Sequence, residues 1–286
     1  MARRAGEAWL GTQDVLLHEP MAVRLRAFDG GRTAVDSNRA QVVWEPGRLV
    51  PYYAVPEQDV RAGLRPIRRP PPDYADHSVE VTPGLRMLPP GMFRLHTVPG
   101  EELAVEIGGR WREGRAFRLE DADLPGYVVL EFSAFDRWLE EEEPAVGHPR
   151  DPFKRIDVRR TARHVRIESE GVLLAESHHP SLLVETMLPP RWYLPVEDVR
   201  TGALLSSTSR TVCAYKGFAD YWAVATQDGE IDICWTYRDP FTDAEPVKDM
   251  IAFYNEHIDV IVDGELRPRP VSPWSRPTPR GGGHLP

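Results

Sequence analysis

Residues 212 to 222, VCAYKGFADYW, place a thiol (Cys213), an amine (Lys216), two phenols (Tyr215, Tyr221) and an indole (Trp222) within eleven positions, with Gly217 at the bend. A lysine beside a tight turn and flanked by aromatics has several chemistries open to it. Desolvation lowers its pKa and makes it a base or nucleophile. Left charged, it clamps an oxyanion or carboxylate. It can also be spent on a structural ion pair, for which Asp198 and Glu185 are the candidates. A neighbouring cation favours the Cys213 thiolate, whereas a buried Cys213 is a small hydrophobe.

Two further segments have the same character, RWYLPVEDVR at 191 to 200 and CWTYRDP at 234 to 240. Tyr193 in an apolar setting can donate to an oxyanion or hold a ligand by its ring. Asp198 and Arg200 point the same way if extended, as do Trp235 and Tyr237. With Tyr221 or Trp222 on a facing strand, the last pair can wall an aromatic pocket or fill a sheet core. The candidates for chemistry are therefore Lys216, Tyr193 and Glu185. The candidates for ligand contact are Cys213, Tyr215, Tyr221, Trp235, Tyr237 and Asp198.

No metal and no cofactor is expected. His178 and His179 with Glu176 match no strong ligand spacing, and Asp121-Ala122-Asp123 lacks the Gly-Ser strand-turn that precedes a magnesium-binding pair. A phosphate-cradling Gly-rich loop, HExxH and GxSxG are all missing from the sequence.

The elements that must position these residues come in two copies. Residues 35 to 64 and 175 to 204 share an acid-Ser start, an apolar pair before a glutamate (Glu45 and Glu185), an aromatic-Tyr pair (Tyr52-Tyr53 and Trp192-Tyr193), and Asp-Val-Arg-x-Gly. In this alignment CAYKG falls on HTVPG at 96 to 100, and CWTY falls loosely on GRAFRL at 114 to 119. Cys213, Lys216 and the tryptophan are then peculiar to the second copy, while the tyrosine and Asp-Val-Arg are common to both. VRLRAF and HVRIES alternate as strands, and DGG and EGV turn them into hairpins. DYWAVAT, QDGE and IDICWTY read as another hairpin. EFSAFDRWLEEEE (131 to 143) and AFYNEHIDVIVDGE (252 to 265) read as short amphipathic helices that end the copies.

Composition sets the outer limits. The chain has 286 residues, 28 prolines, two cysteines and a formal net charge of -9. Abundant proline favours strands and turns over helices. The acidic balance argues against a general nucleic-acid binder, and the basic stretches RPIRRPPP and RRTARHVR read as solvated loop and strand ends. Two cysteines are too few for a disulfide framework, so a reduced, cytoplasmic protein is expected. MARRAGEAWLG has no apolar core of signal-peptide length, and no apolar run approaches a membrane span. The expected layout is a degenerate first domain at 1–143, a linker at 144–162, a site-bearing domain at 163–265 and a disordered Pro/Arg/Gly-rich tail at 266–286.

The segments VRIESEGVLLAES, PPRWYLPVEDVR, CAYKGFADYW, WTYRDP and IAFYNEHIDVIVDG resemble the bacterial and fungal DUF427 family, with the first half as a weaker tandem copy. The matching positions are Tyr193, Asp198, Cys213, Tyr215, Lys216, Gly217, Tyr221, Trp235, Tyr237 and Pro240. The resemblance implies a mainly β protein of two tandem β-tent-like domains, each of antiparallel sheets meeting at an angle, akin to the small-ligand-binding domain of cereblon. That relative holds zinc with four cysteines, which two cannot supply. The family has been linked to amide-bond hydrolysis in small-molecule metabolism. Its nucleotidyltransferase label finds no support in these residues. The expected activity is an amide-bond hydrolase, with a non-catalytic small-ligand-binding module as the alternative. The expected partner is a small molecule, with no nucleic acid and no membrane.

Overall fold

Two-residue turns set the pattern in both halves of the chain. Gly30 and Gly31 have φ of 55° and 79°, and Glu170 and Gly171 have φ of 50° and 78°. Positive φ at both central positions makes a type I′ turn, whose twist matches that of the strands it joins. The computed structural model describes residues 14–68, 72–82, 84–227 and 229–283. The N-terminal MARRAGEAWLG, part of RPIRRPPP, Asp228 of the expected QDGE turn and the last three residues of the tail lie outside the described residues.

The chain divides into two units between Pro152 and Phe153. The first contains β1 (Leu17–Pro20), β2 (Leu25–Asp29), β3 (Arg32–Ser37), β4 (Gln41–Trp44), β5 (Tyr52–Pro56), β6 (Leu64–Pro66), β7 (Val79–Thr82), β8 (Leu85–Met87), β9 (Gly100–Ile107), β10 (Arg110–Leu119), β11 (Tyr127–Leu130), β12 (Arg137–Glu140) and β13 (Glu143–Ala145). A seven-stranded sheet runs β1-β4-β5-β11-β10-β9-β6, and a four-stranded sheet runs β13-β12-β2-β3. Leu25, Tyr53, Val105, Leu130 and Trp138 fill the core between them. The hairpin β7-β8 lies in the stretch between β6 and β9, where the second unit has only a short turn.

The second unit contains β14 (Ile156–Arg160), β15 (Val165–Ser169), β16 (Val172–Ser177), β17 (Ser181–Glu185), β18 (Arg191–Leu194), β19 (Leu205–Cys213), β20 (Gly217–Thr226), β21 (Gly229–Tyr237), β22 (Ile251–Phe253), β23 (Asp259–Val262) and β24 (Glu265–Leu266). Its sheets run β14-β17-β18-β22-β21-β20-β19 and β16-β15-β23-β24. This is the strand order of the first unit, element for element, and every named pairing is antiparallel. The protein is therefore mainly β, as expected.

Three expectations are corrected. The ends of the copies are strands, not helices. Trp138 on β12 is buried under β2, and DVIV on β23 pairs with β15. A short apolar run fits either period, and here the open side of each four-stranded sheet takes it as a strand. The linker is not a linker: β13 overlaps its start, and β14, within it, is an edge strand of the second unit, paired with β17. The described part of the tail is ordered. Ser272 is buried and donates to Glu256 at 2.5 Å, His257 Nε2 lies 2.8 Å from the Trp274 carbonyl, Asp232 N donates to Thr278 O, and Arg280 pairs with Glu230 at 2.7 Å. Composition predicts disorder from a shortage of apolar surface. It does not register an anchor made of hydrogen bonds and ion pairs.

Ladder register also corrects the internal alignment. Val42 faces Tyr53 across β4-β5, and Leu182 faces Trp192 across β17-β18. Tyr53 thus corresponds to Trp192, Tyr52 to Arg191, and Ala54 to Tyr193. The tyrosine at 193 is not shared by the two copies. On β10 and β21, the partners Val129 and Ala252 set Phe117 against Trp235, and hence Leu119 against Tyr237. Counting back from the pairs Leu119–Gly100 and Tyr237–Ala219 sets Lys216 against Thr97 rather than Pro99.

Candidate functional site

The seven-stranded sheet of the second unit has two apolar faces. The inner face, with Trp192, Leu194, Ile233 and Cys234, packs toward the four-stranded sheet. The outer face carries Leu183, Tyr193, Trp235, Tyr237 and Ala252, covered by Ala244 and Val247 of the 3-10 turn Thr242–Val247. Strand alternation does the sorting: Tyr193 sits between Trp192 and Leu194 and points the other way. Trp235 Nε1 donates to the Tyr193 hydroxyl at 3.2 Å, with the two rings edge to face. The hydroxyls of Thr211 and Tyr221 are hydrogen-bonded at 2.8 Å.

Lys216 reaches the same face from the turn between β19 and β20. Gly217 makes that turn possible. Its φ is 93°, and a Cβ there would sit 3.2 Å from the Asp239 carbonyl oxygen and 3.4 Å from Phe241 N. The RDP segment can therefore close on the turn, and Phe241 N donates to Lys216 O at 3.3 Å. The Lys216 ammonium donates to Glu185 at the end of β17, and Lys154 pairs with the other Glu185 oxygen at 3.2 Å. All three side chains are at most 10% exposed.

Electrostatics decides between the chemistries open to Lys216. Burial alone would lower its pKa, but Cys213, Glu185 and Tyr193 around it outweigh burial and raise it. Burial would likewise push the Glu185 carboxyl up, and the two ammoniums hold it below the usual range. Lys216 is thus a charged donor and not a neutral base, the ion-pair partner being Glu185 and not Asp198. Burial keeps the Tyr193, Tyr221 and Tyr237 phenols protonated by raising their pKa. The face is an array of phenols beside the two ammoniums that flank Glu185.

Most of the expected site is brought together. Tyr193, Trp235, Tyr237 and Tyr221 pack in one cluster, Glu185 and Lys216 are joined, and Cys213 borders Lys216. Tyr215 is buried within the turn itself. Asp198 is elsewhere. It ends the 3-10 turn Val196–Asp198, beside the bridge from Val199 to Ala175 on β16. Its twin Asp59 holds Ser37 at 2.7 Å and Arg39, which is framework work.

Three residues escaped the sequence reading. Lys154 lay in the supposed linker. Arg191 stacks over both Trp235 and Tyr254, 5.7 Å from each ring centre, and Glu256 holds its guanidinium at 2.6 and 2.7 Å. Arg191 was legible: two positions from Tyr193 on a strand, it must share that face. Glu256 was hidden in the supposed helix, with no pattern to mark it.

A family comparison agrees with this division of the chain. Residues 157–264 match the family model described as a domain of unknown function, DUF427. None of the curated proteins matches the chain. The match falls within the second unit, which has the outer face of phenols around a charged lysine.

Proposed function

We propose that the second unit is a small-molecule-binding module whose ligand offers an acceptor oxygen to the Lys216, Tyr193 and Tyr237 face. One observation carries this reading. At the positions of Tyr193, Trp235 and Tyr237 the first unit has Ala54, Phe117 and Leu119 in the same strand order. The fold closes over hydrocarbon there, and burying hydroxyls in its place costs free energy unless each finds a partner. The Tyr193 hydroxyl finds the Trp235 indole, but the first unit builds the same sheet without that pair, so the fold does not require the phenols. Cys213, Thr211 and Tyr221 are only half-buried and border the cluster, which gives a ligand a side of approach.

Amide-bond hydrolysis by the same face would ask Lys216 or Glu185 to exchange a proton near neutral pH, and each holds its charge against that. Carbonyl polarisation by fixed donors remains compatible with both readings. A screen of cyclic amides and related carbonyl compounds by thermal shift, followed by recovery and mass analysis of each hit, separates them. The expected outcome is a compound that raises the unfolding temperature, is recovered unaltered, and loses its effect in Tyr193→Phe and Tyr237→Phe. Hits indifferent to both substitutions would overturn the reading, and turnover would replace it with the hydrolase.

A further inference from the structure

Ladder partners point to the same side of a sheet, so pairings can be followed from strand to strand. On the outer face of the second unit one row runs Arg160, Ser181, Tyr193, Ala252, Trp235, Tyr221. It begins at a guanidinium on the edge strand and enters the phenol cluster at its third member. Above the Arg160 end is a cleft of about 260 Å³, lined by Arg160, His179, Ser181, Pro180, Pro246 and Met250. Met250 also packs against the aromatic cluster, so cleft and cluster share a wall.

The first unit shows what the cleft would look like filled. The frame is the same: Met21 N donates to Ala40 O at 2.9 Å, and Thr161 N to Pro180 O at 3.1 Å. The corresponding row begins Pro20, Gln41, Ala54. Where the second unit has Met250, the first has Tyr127, whose hydroxyl donates to the Arg39 carbonyl at 2.9 Å across this position. Serine in place of glutamine and methionine in place of tyrosine open the space. Arginine in place of proline gives it a charge.

We propose that this cleft binds a small carboxylic acid. Arg160 takes the carboxylate, as a planar guanidinium does best. His179 and the Ser181 hydroxyl flank it, and Met250, Pro180 and Pro246 cover a short apolar body. The volume falls just below the usual range for ligand pockets, which begins at about 300 Å³, and suits a compound of one ring or a short chain. Two strand spacings separate Arg160 from Tyr193, about 10 Å, so the far end of such an acid meets the donor face. The inference builds on the ligand-binding reading and names the charged end of the ligand.

The test is a titration of the isotope-labelled full chain with benzoate and, in parallel, with the neutral isostere benzamide. Benzoate is expected to shift the amide resonances of Arg160, His179 and Ser181 and to bind about tenfold more tightly than benzamide, the worth of one charge-assisted hydrogen bond. Arg160→Gln, on the exposed edge, should erase that preference. The double variant Ser181→Gln/Met250→Tyr installs the first unit's residues, so the fold is known to accept them, and it should abolish binding of both compounds. Benzoate shifts mapping elsewhere, equal affinity for benzamide, or undiminished binding in the double variant would each overturn the proposal. If carbonyl compounds bind in a Tyr193-dependent way while benzoate does not bind, the cleft assignment falls and the donor face stands. If benzoate binding is lost in Arg160→Gln but unchanged in Tyr193→Phe, the cleft assignment holds and the donor face falls.

Discussion

Each unit buries a glutamate at the same place in the sheet and neutralises it differently. Glu45 lies 2.8 Å from His96 Nδ1 and accepts from Thr97 N at 2.8 Å, with the imidazole stacked on Phe117. Glu185 has two lysines. The carboxylate at the end of β4 or β17 is therefore a framework requirement, and its partner is free to change. A histidine and a backbone N–H serve the first unit, whose largely apolar face has the buried Arg48 over the Tyr52 ring at its border. Two ammoniums give the second unit a fixed positive site beside its phenols. Lys216 and Glu185, both expected among the residues for chemistry, form one device in which the carboxylate is common to the copies and its partners are not.

Breaking that device gives the largest expected effect. Lys216→Met leaves Glu185 with Lys154 alone and should cost about 3–5 kcal/mol, the range for a buried pair that loses one partner. Urea unfolding followed by hydrogen exchange should locate the loss in the second unit. A loss below about 1 kcal/mol would mean that the first unit's lysine-free solution serves equally well. Next in size is the tail, which runs past the DUF427 match. Ending the chain at Leu266 removes the Ser272 donor to Glu256 and should cost about 2–3 kcal/mol, the worth of a hydrogen bond to a buried charge with its packing. Ser272→Ala alone should reproduce about half. Glu256, which holds Arg191 over Trp235, loses a partner in the same step, so quenching of Trp235 fluorescence is a second readout.

A smaller effect separates stability from function. Tyr193→Phe removes the acceptor of the Trp235 indole and should cost about 1–2 kcal/mol. Leu119→Tyr in the first unit puts a phenol where nothing is shown to receive it and should cost at least as much. If Leu119→Tyr is neutral, the claim that this position has no structural use for a hydroxyl fails.

The legibility of the molecule follows the same division. Strand alternation, glycine turns and the repeat announced a mainly β protein with two like units, because these signals are local. The grouping of Tyr193, Trp235 and Tyr237 was legible because strand alternation aims them and antiparallel pairing gathers them. Register was not legible. One residue fewer between β17 and β18 than between β4 and β5 moves Tyr193 off Tyr53 and onto Ala54, and only hydrogen-bonded partners reveal it. Lys154 and Glu256 were invisible for another reason. A buried ion pair joins positions far apart in the chain, and each member alone resembles an ordinary surface charge.

The smallest expected effect is a pH dependence. Glu185 and Glu256 have carboxyl pKa values held below the usual range, by the lysines and by Arg191 respectively, against the opposing pull of burial. A carboxyl whose pKa is lower folded than unfolded contributes stability that is present above the unfolded value and lost as pH falls through the folded one. The unfolded value for glutamate is about 4.3. From pH 7 to pH 5 the second unit should lose only a few tenths of a kcal/mol, because little of the unfolded chain is yet protonated. Below about pH 4.3 the loss should steepen, and it should be steeper in the second unit than in the first. Protonating Glu185 leaves two buried ammoniums facing a neutral acid. Protonating Glu45, whose pKa is also held down against burial, first by its bond to His96, still leaves the Thr97 N–H an acceptor oxygen. Acid titrations read by residue-resolved exchange in Glu185→Gln and Glu45→Gln variants measure the two slopes separately. Equal flattening by both substitutions would show that the two partners are electrostatically equivalent, and the contrast between the units would then rest on the phenols alone.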